Sequence, residues 1–243
     1  MNPPAPLLSL SIVSHGQGAL IASLLADLAG LQEPSFEVVV TLNLPEDEAP
    51  YQGHPFPVRI LRNAAPKGFG ANHNAAFAQC RGSFFAVVNP DIRLQARDLQ
   101  PLLQCFDQAR VAAVAPVVLS GQGRVEDSVR RFPTVARLAR RVLLRRREPD
   151  YRWGEQPIVV DWTAGMFVLF RPDAFKEVGG FDDRRFFMYF EDVDICARLW
   201  RKGWRVLLQP QVRVVHDAQR ASHRSMRHLR WHLTSALRYL SGI

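Results

Sequence analysis

The N-terminal part of the chain alternates between two kinds of apolar pattern, and that alternation restricts the fold more than any other feature. Leu8–Ser14 places apolar residues at every second position, as a strand does. Leu20, Ile21, Leu24, Leu25 and Leu28 then recur at helical spacing, with Gly30 as a suitable C-terminal cap. Phe36–Leu42 is nearly continuous and β-branched, the signature of a buried parallel strand. Strand, helix and strand in that order make the right-handed crossover unit of an α/β sheet. At 243 residues the chain suits one domain with a sizeable core.

Gly16-x-Gly18 after the first strand invites a dinucleotide reading. The third glycine of that motif, needed for close helix packing, is Ile21 here, and the second strand closes on Asn43 rather than an acid. A nicotinamide enzyme is excluded on those two absences. The N-terminus, Met1 to Pro6, has neither the charged flank nor the apolar core of a signal peptide, and no stretch is long and apolar enough for a membrane span. Cys80, Cys105 and Cys196 are odd in number and unpaired in spacing, which fits reduced cysteines in a cytoplasmic protein. The net charge is +8, and lysine occurs only at 67, 176 and 202. Arginine suits phosphate and carboxylate recognition, although a GC-rich genome produces the same bias. The excess points to an anionic partner.

The next segments follow the same alternation. Val58–Leu61 is a short strand leading into a glycine-rich turn, Lys67-Gly68-Phe69-Gly70-Ala71-Asn72, which opens a small-residue helix and aims N–H groups beyond its start. The Gly-Lys-Ser/Thr ending of a Walker A loop is missing. Ser83–Val88 is a buried strand ending in Asn89-Pro90-Asp91, and ligands gather at the carboxyl ends of such strands. Asp91 there is either a metal ligand for a nucleotide diphosphate or part of an Asx turn. Val111–Val118 is another strand. Thr134–Arg147 is strongly basic with interspersed leucines, as a solvated helix or a headgroup contact would be.

Val159–Phe170 reads as a strand pair interrupted near Gly165, where a bulge or a close ligand approach is permitted. Pro172 opens a short helix that Gly179-Gly180 ends. The aromatic run Phe186–Phe190 then meets Glu191, Asp192 and Asp194 at the start of a helical pattern. A dry wall beside an acid cluster can tune a carboxylate for proton transfer; equally, acids favour a helix start. Val206–Leu208 and Val212–Val215 read as two short strands, the second ending at His216, a possible metal ligand. In Ser225–Leu240, Met226, Leu229, Leu233, Leu237 and Leu240 share one helical face, suited to packing on the domain or to an anionic membrane surface.

Taken as an ordered set, Asn63–Phe77, Val88–Leu94, Asp161–Arg171, Val178–Trp204 and Val212–His216 resemble the inverting family 2 glycosyltransferases of the GT-A fold, and most of all bacterial rhamnosyltransferases. The resemblance implies an α/β fold: a Rossmann-like mixed sheet flanked by helices. A nucleotide-binding half (residues 1–118) and an acceptor-binding half (119–220) would form one domain, followed by a basic amphipathic helix (221–243). It implies Asp91 and His216 as ligands of Mg2+ or Mn2+ and Asp192 as the general base. Ser14, His15, Asn43, Lys67, Gly70, Asn72 and Asn89 fall in the donor site; Trp162, Gly165, Glu191 and Asp194 fall in the acceptor site. The chain departs from the family pattern at Asn89, where the D-x-D element begins with a carboxylate, and at Asn43, where an Asp is usual.

The implied activity is transfer of L-rhamnose from dTDP-rhamnose to a glycan or polyprenyl-diphosphate-linked acceptor in cell-surface polysaccharide synthesis. The implied setting is the inner face of the cytoplasmic membrane, reached through Arg137–Arg147 and Ser225–Leu240. Two other classes make different predictions. A basic nucleic-acid-binding module would bind with steep salt dependence and no metal requirement, and no recognisable reading motif for it is present, so no nucleic acid is expected. A catalytically silent homologue would bind a partner without transferring sugar.

Overall fold

The computed structural model describes residues 6–32, 35–137, 149–217 and 226–242, with side chains from residue 230 onward in the last stretch. Strand β1 (Leu8–Ser14), helix α1 (Gly18–Ala29) and strand β2 (Phe36–Leu42) form the expected crossover, β2 lying parallel to β1. Strand β3 (Val58–Arg62) adds outside β2 and β4 (Phe84–Val88) adds on the other flank of β1, both parallel. Helix α2 (Phe69–Phe77) connects those two strands. Gly30 closes α1 in a right-handed conformation rather than the left-handed one expected of a glycine cap.

The rest of the sheet is mixed. It comprises β5 (Ile92–Leu94), β6 (Val111–Ser120), β8 (Ile158–Val160), β10 (Phe167–Phe170) and β11 (Arg205–His216), with α3 (Gln100–Gln104) before β6. Among the described residues nine strands share one sheet, ordered β3-β2-β1-β4-β10-β6-β11-β5, with β8 also paired to β11. Strand β10 runs antiparallel to both β4 and β6. Strands from the second half of the chain thus complete the sheet that the first half begins. Strands β7 (Val129–Arg130) and β9 (Trp162–Thr163) make a separate antiparallel pair. The two short strands expected near residues 206 and 212 are one strand, β11, whose register with β6 slips between Gln209 and Arg213. Pro210 lies inside the slip and has no N–H to give the ladder.

Each face of the sheet carries its own core, because alternate residues of a strand point to opposite sides. On β4, Ala86 and Val88 join Leu10, Ile12, Leu24 and Val40 on one side, whereas Phe85 and Val87 join Phe170, Phe175, Phe181 and Leu199 on the other. Ser9 and Ser11 are buried all the same, since they hold polar partners: Ser9 Oγ donates to Glu37 (2.8 Å), and Ser11 Oγ lies 2.8 Å from His73 Nδ1 on α2. Burial lowers His73 to about 3, so its ring is neutral and can share that hydrogen bond without an uncompensated charge.

Helices α4 (Pro172–Glu177), α5 (Glu191–Arg201) and α6 (Met226–Ser241) are the remaining α-helices among the described residues. Among the described side chains of α6, those that meet the domain are not the leucines. Ala236 and Tyr239 lie against Phe186, Phe190 and Val193 and Ser235 is buried, while Leu233, Leu237 and Leu240 are 55%, 68% and 36% exposed. The side chains of Met226 and Leu229 lie outside the described residues, as does the basic segment beyond Arg137. Among the described residues no helix is long and apolar enough to cross a membrane.

Candidate active site

The carboxyl end of the sheet brings together residues far apart in sequence. Strand β11 pairs antiparallel with β5 so that His216 faces Ile92, and the Asp217 N–H donates to the Asp91 carbonyl (2.9 Å). That register sets His216 Nε2 3.2 Å from Asp91 Oδ2. The hairpin after β6 turns back at Gly123, whose φ of +74° suits glycine, and returns through a Leu119–Val125 bridge. It delivers Glu126, which sequence reasoning missed, to 2.9 Å from His216 Nδ1. Burial pulls the His216 ring down, but its hydrogen bonds and charge pairing with Asp91 and Glu126 prevail and push it up to about 9. The ring thus lies between two carboxylates, Asp91 on Nε2 and Glu126 on Nδ1.

That donor set suits a divalent cation that accepts both imidazole and carboxylate, as Mn2+ does. Among the described residues no three His, Cys, Asp or Glu groups converge as a ready metal cage. Two protein donors leave room for diphosphate oxygens and water, the usual arrangement for a cation that bridges to phosphate.

On the donor side, Asn43 follows β2 and is almost fully buried. Its Oδ1 accepts from the Lys67 N–H (2.8 Å) and Asn63 Nδ2 (2.7 Å), and its Nδ2 donates to the Lys67 carbonyl (2.9 Å). Asn72 is equally buried, with Nδ2 donating to the Lys67 carbonyl and Oδ1 accepting from Asn63. Both amides are spent on shaping the 63–72 turn. Ser14, also buried, accepts from the Gln17 N–H (3.0 Å) and so shapes the loop after β1. His15 and Lys67 are exposed, and His15 Nδ1 lies 3.3 Å from Asn43 Nδ2. Gly70 is required by packing, since a Cβ there would lie 2.7 Å from Phe181 Cβ. Asn89 and Asp91 sit at the end of β4, partly buried beside this turn's sheet edge.

Asp192 lies in the first turn of α5. The turn before it is strained: Tyr189 and Phe190 both have left-handed φ, 70° and 69°, and neither is glycine. Such residues cost about 1–3 kcal/mol each and persist only when their surroundings hold them. Here the hold is visible. The Phe69 N–H donates to the Phe187 carbonyl (3.0 Å), and Ser235 Oγ on α6 donates to the Met188 carbonyl (2.9 Å). The approach at Gly68 is so close that a Cβ would lie 2.3 Å from the Phe187 oxygen. The glycine-rich turn, the Phe187–Phe190 turn and the C-terminal helix are thereby one packed unit.

Asp192 Oδ1 accepts from the Val193 N–H (2.8 Å) and Oδ2 from the Gly165 N–H (3.3 Å). Gly165 thus orients Asp192, and its missing side chain admits the Phe69 ring. Burial raises both carboxyls of the Glu191–Asp192 pair; the neighbouring Asp192 charge raises Glu191 further, to well above its ordinary value. The Val193 and Gly165 N–H groups and the charge of Arg130 temper the rise at Asp192, which stays above its ordinary value. Of the two, Asp192 ionises first. Arg130, on β7 opposite Trp162, pairs with Asp127 (2.6 Å) and went unremarked in the sequence. Trp162 spends its ring N–H on the Arg131 carbonyl (3.0 Å). Asp194 does not open onto a ligand: it is buried between Arg198 (2.7 Å) and Arg185 (3.5 Å) and braces the turn.

Solved structures share this architecture. The mannosyltransferase PcManGT from Pyrobaculum calidifontis, in complex with GDP-Man and Mn2+, matches with a TM-score of 0.65 at 18% identity, over 97% of this chain and 65% of that one. The Staphylococcus aureus TarS fragment in complex with UDP-GlcNAc matches at 0.62 and 16%, over 89% and 60%. The chain therefore spans less than two thirds of these solved chains, and its fold is that of the GT-A glycosyltransferases. The profile described as "Glycosyltransferase like family 2" matches residues 3–234. Rhamnosyltransferase WbbL of Escherichia coli is 30% identical over 95% of this chain and 91% of its own length. The N-acetylglucosaminyl-diphospho-decaprenol L-rhamnosyltransferase of Mycobacterium tuberculosis is 29% identical over 97% and 84%. The chain belongs to glycosyltransferase family 2, and it is an enzyme that takes its sugar from a nucleotide donor.

Proposed function

We propose that this glycosyltransferase is an inverting, divalent-metal-dependent rhamnosyltransferase, moving L-rhamnose from dTDP-rhamnose to a polyprenyl-diphosphate-linked glycan. The observation that carries the chemistry is the division of the site into a carboxylate–imidazole pair, Asp91 and His216, and a separate buried base turn bearing Asp192. Asp91 and His216 would hold the metal, which when bound supplies positive charge to the diphosphate. Asp192 takes the proton from the acceptor hydroxyl as that oxygen bonds to the anomeric carbon. The bond from that carbon to the diphosphate breaks on the opposite face, so the sugar inverts. The Val193 and Gly165 N–H groups aim Asp192 and favour its charged form, and Phe190 with the Trp162 ring walls off that side. Likeness to the two rhamnosyltransferases supports the sugar, and the mycobacterial relative's name supports the lipid-linked acceptor.

The acceptor reading extends to the membrane. Residues 218–243 hold five arginines and no acid, and α6 presents Leu233, Leu237 and Leu240 outward. A basic helix with an outward leucine row suits an anionic lipid surface, which would bring a lipid-linked acceptor to the base turn that α6 covers. The deciding experiment is transfer: purified protein with Mn2+, dTDP-rhamnose and a polyprenyl-diphosphate-linked N-acetylglucosamine should yield a disaccharide lipid of inverted anomeric configuration. Absence of product with dTDP-rhamnose, alongside product from another sugar nucleotide, would overturn the donor assignment. Retention of configuration would overturn the mechanism.

A further inference from the structure

His216 is a lone imidazole at a strand end, and its usefulness as a ligand depends on which ring nitrogen faces Asp91. The structure shows what decides this. Glu126 Oε2 lies 2.9 Å from Nδ1, while Nε2 points to Asp91 Oδ2 at 3.2 Å. Glu126 is not placed by chance contact of a long side chain. Its own N–H donates to the Val118 carbonyl (2.8 Å), the Leu119–Val125 bridge closes the hairpin behind it, and β11 pairs His216 with Ser120 across the same edge. Three backbone registers therefore fix the carboxylate against the ring.

We propose that Glu126 is the positioning residue of the metal centre, accepting the Nδ1 proton of His216 so that Nε2 keeps its lone pair for the cation. The inference rests on Asp91 and His216 being the metal ligands. Ligating histidines commonly give their second ring N–H to a carboxylate, which fixes the tautomer and raises ligand basicity; loss of that partner weakens metal binding by roughly 10–100-fold. A further consequence is selectivity. A tethered, more basic imidazole favours Mn2+ over Mg2+, which prefers oxygen ligands and water.

The test reads Mn2+ binding to the full chain, by loss of the free-ion electron paramagnetic signal in the presence of dTDP, in a double-mutant cycle of Glu126→Ala and His216→Ala. Glu126→Ala should weaken Mn2+ binding by about 10–100-fold, and Glu126→Gln, whose amide oxygen can still accept the proton, should restore part of it. In the His216→Ala background the Glu126→Ala substitution should do nothing more, because it acts only through the ring. Wild-type affinity in Glu126→Ala, or an undiminished effect of that substitution without His216, would overturn the role. Wild-type affinity in both His216→Ala and Asp91→Ala would instead remove the metal assignment itself and, with it, this inference. Unchanged thermal melting of the Glu126 variants separates a ligand effect from a folding one.

Discussion

Asp192, partly buried beside the fully buried Glu191, is the acid that the proposed reading makes the base. Two backbone N–H groups reach it, whereas Glu191 Oε2 has no hydrogen-bond partner among the described residues. Asp192→Asn keeps size and both donors nearby but cannot accept a proton, so turnover should fall by roughly 10²–10⁴-fold with nucleotide affinity unchanged. Turnover near wild type would take the role from Asp192. Glu191 makes a different prediction, about stability. Its folded-state pKa is raised, so between the ordinary glutamate value and that raised value the folded protein binds more protons than the unfolded one. Stability therefore falls as pH rises through this window and levels off above the folded pKa. Glu191→Gln should flatten that slope in a series of melts from acid to neutral pH; an unchanged slope would show that Glu191 is not the group responsible. At this scale the sequence was informative about residue type and silent about use. The acids at the head of α5 were visible as a helix start and as a base candidate. That Asn43, Asn72 and Asp194 spend their polar atoms on the protein was not, because hydrogen-bond partners distant in sequence leave no local pattern.

The element that joins the two sides of the site is the strained turn from Phe187 to Phe190. It is pressed by the glycine-rich turn from one side and by α6 from another, through the Phe69 N–H and Ser235 Oγ respectively. Gly68→Ala should separate these elements, since its Cβ would meet a backbone oxygen that no rotamer change can move. A loss of about 1–3 kcal/mol in stability is expected from such overpacking, with reduced turnover; a fully stable, fully active variant would contradict the clamp. Helix α6 was legible as an amphipathic helix, but its inward and outward faces were not. Periodicity locates an apolar stripe without saying what covers it, and here the covered face is Ser235, Ala236 and Tyr239 while the leucines stay outside. Leu233→Glu with Leu237→Glu should accordingly leave folding intact and abolish co-sedimentation with phosphatidylglycerol vesicles. Unaltered vesicle binding, or a loss confined to self-association in light scattering, would show that the leucine row serves something other than a bilayer.

At the scale of the molecule, β1, β2, β3 and β4 were readable as strands, and β1–α1–β2 as a crossover, because buried parallel strands are continuous and β-branched and crossovers have one hand. The insertion of β10 between β4 and β6, and the pairing of β11 with β5, were not readable, because pairing partners across a sheet are chosen by global topology. Yet that pairing brings His216 to Asp91, and on the proposed reading nucleotide, metal and fold stability form a linked system. A ligand that binds only the folded state at a hundred times its dissociation constant stabilises by about 2.7 kcal/mol. For a domain of this size each kcal/mol moves the melting temperature by about 2–4 °C, giving a rise of roughly 5–11 °C. With Mn2+ present, dTDP-rhamnose should give that rise, and GDP-mannose and UDP-N-acetylglucosamine should give less. Asp91→Ala should abolish the part of the shift that depends on Mn2+, because the remaining His216 cannot hold the cation against the diphosphate alone. Equal shifts from all three donors would overturn the rhamnose assignment while leaving the transferase intact. A shift that is the same with and without Mn2+ would overturn the metal site, whichever sugar nucleotide binds.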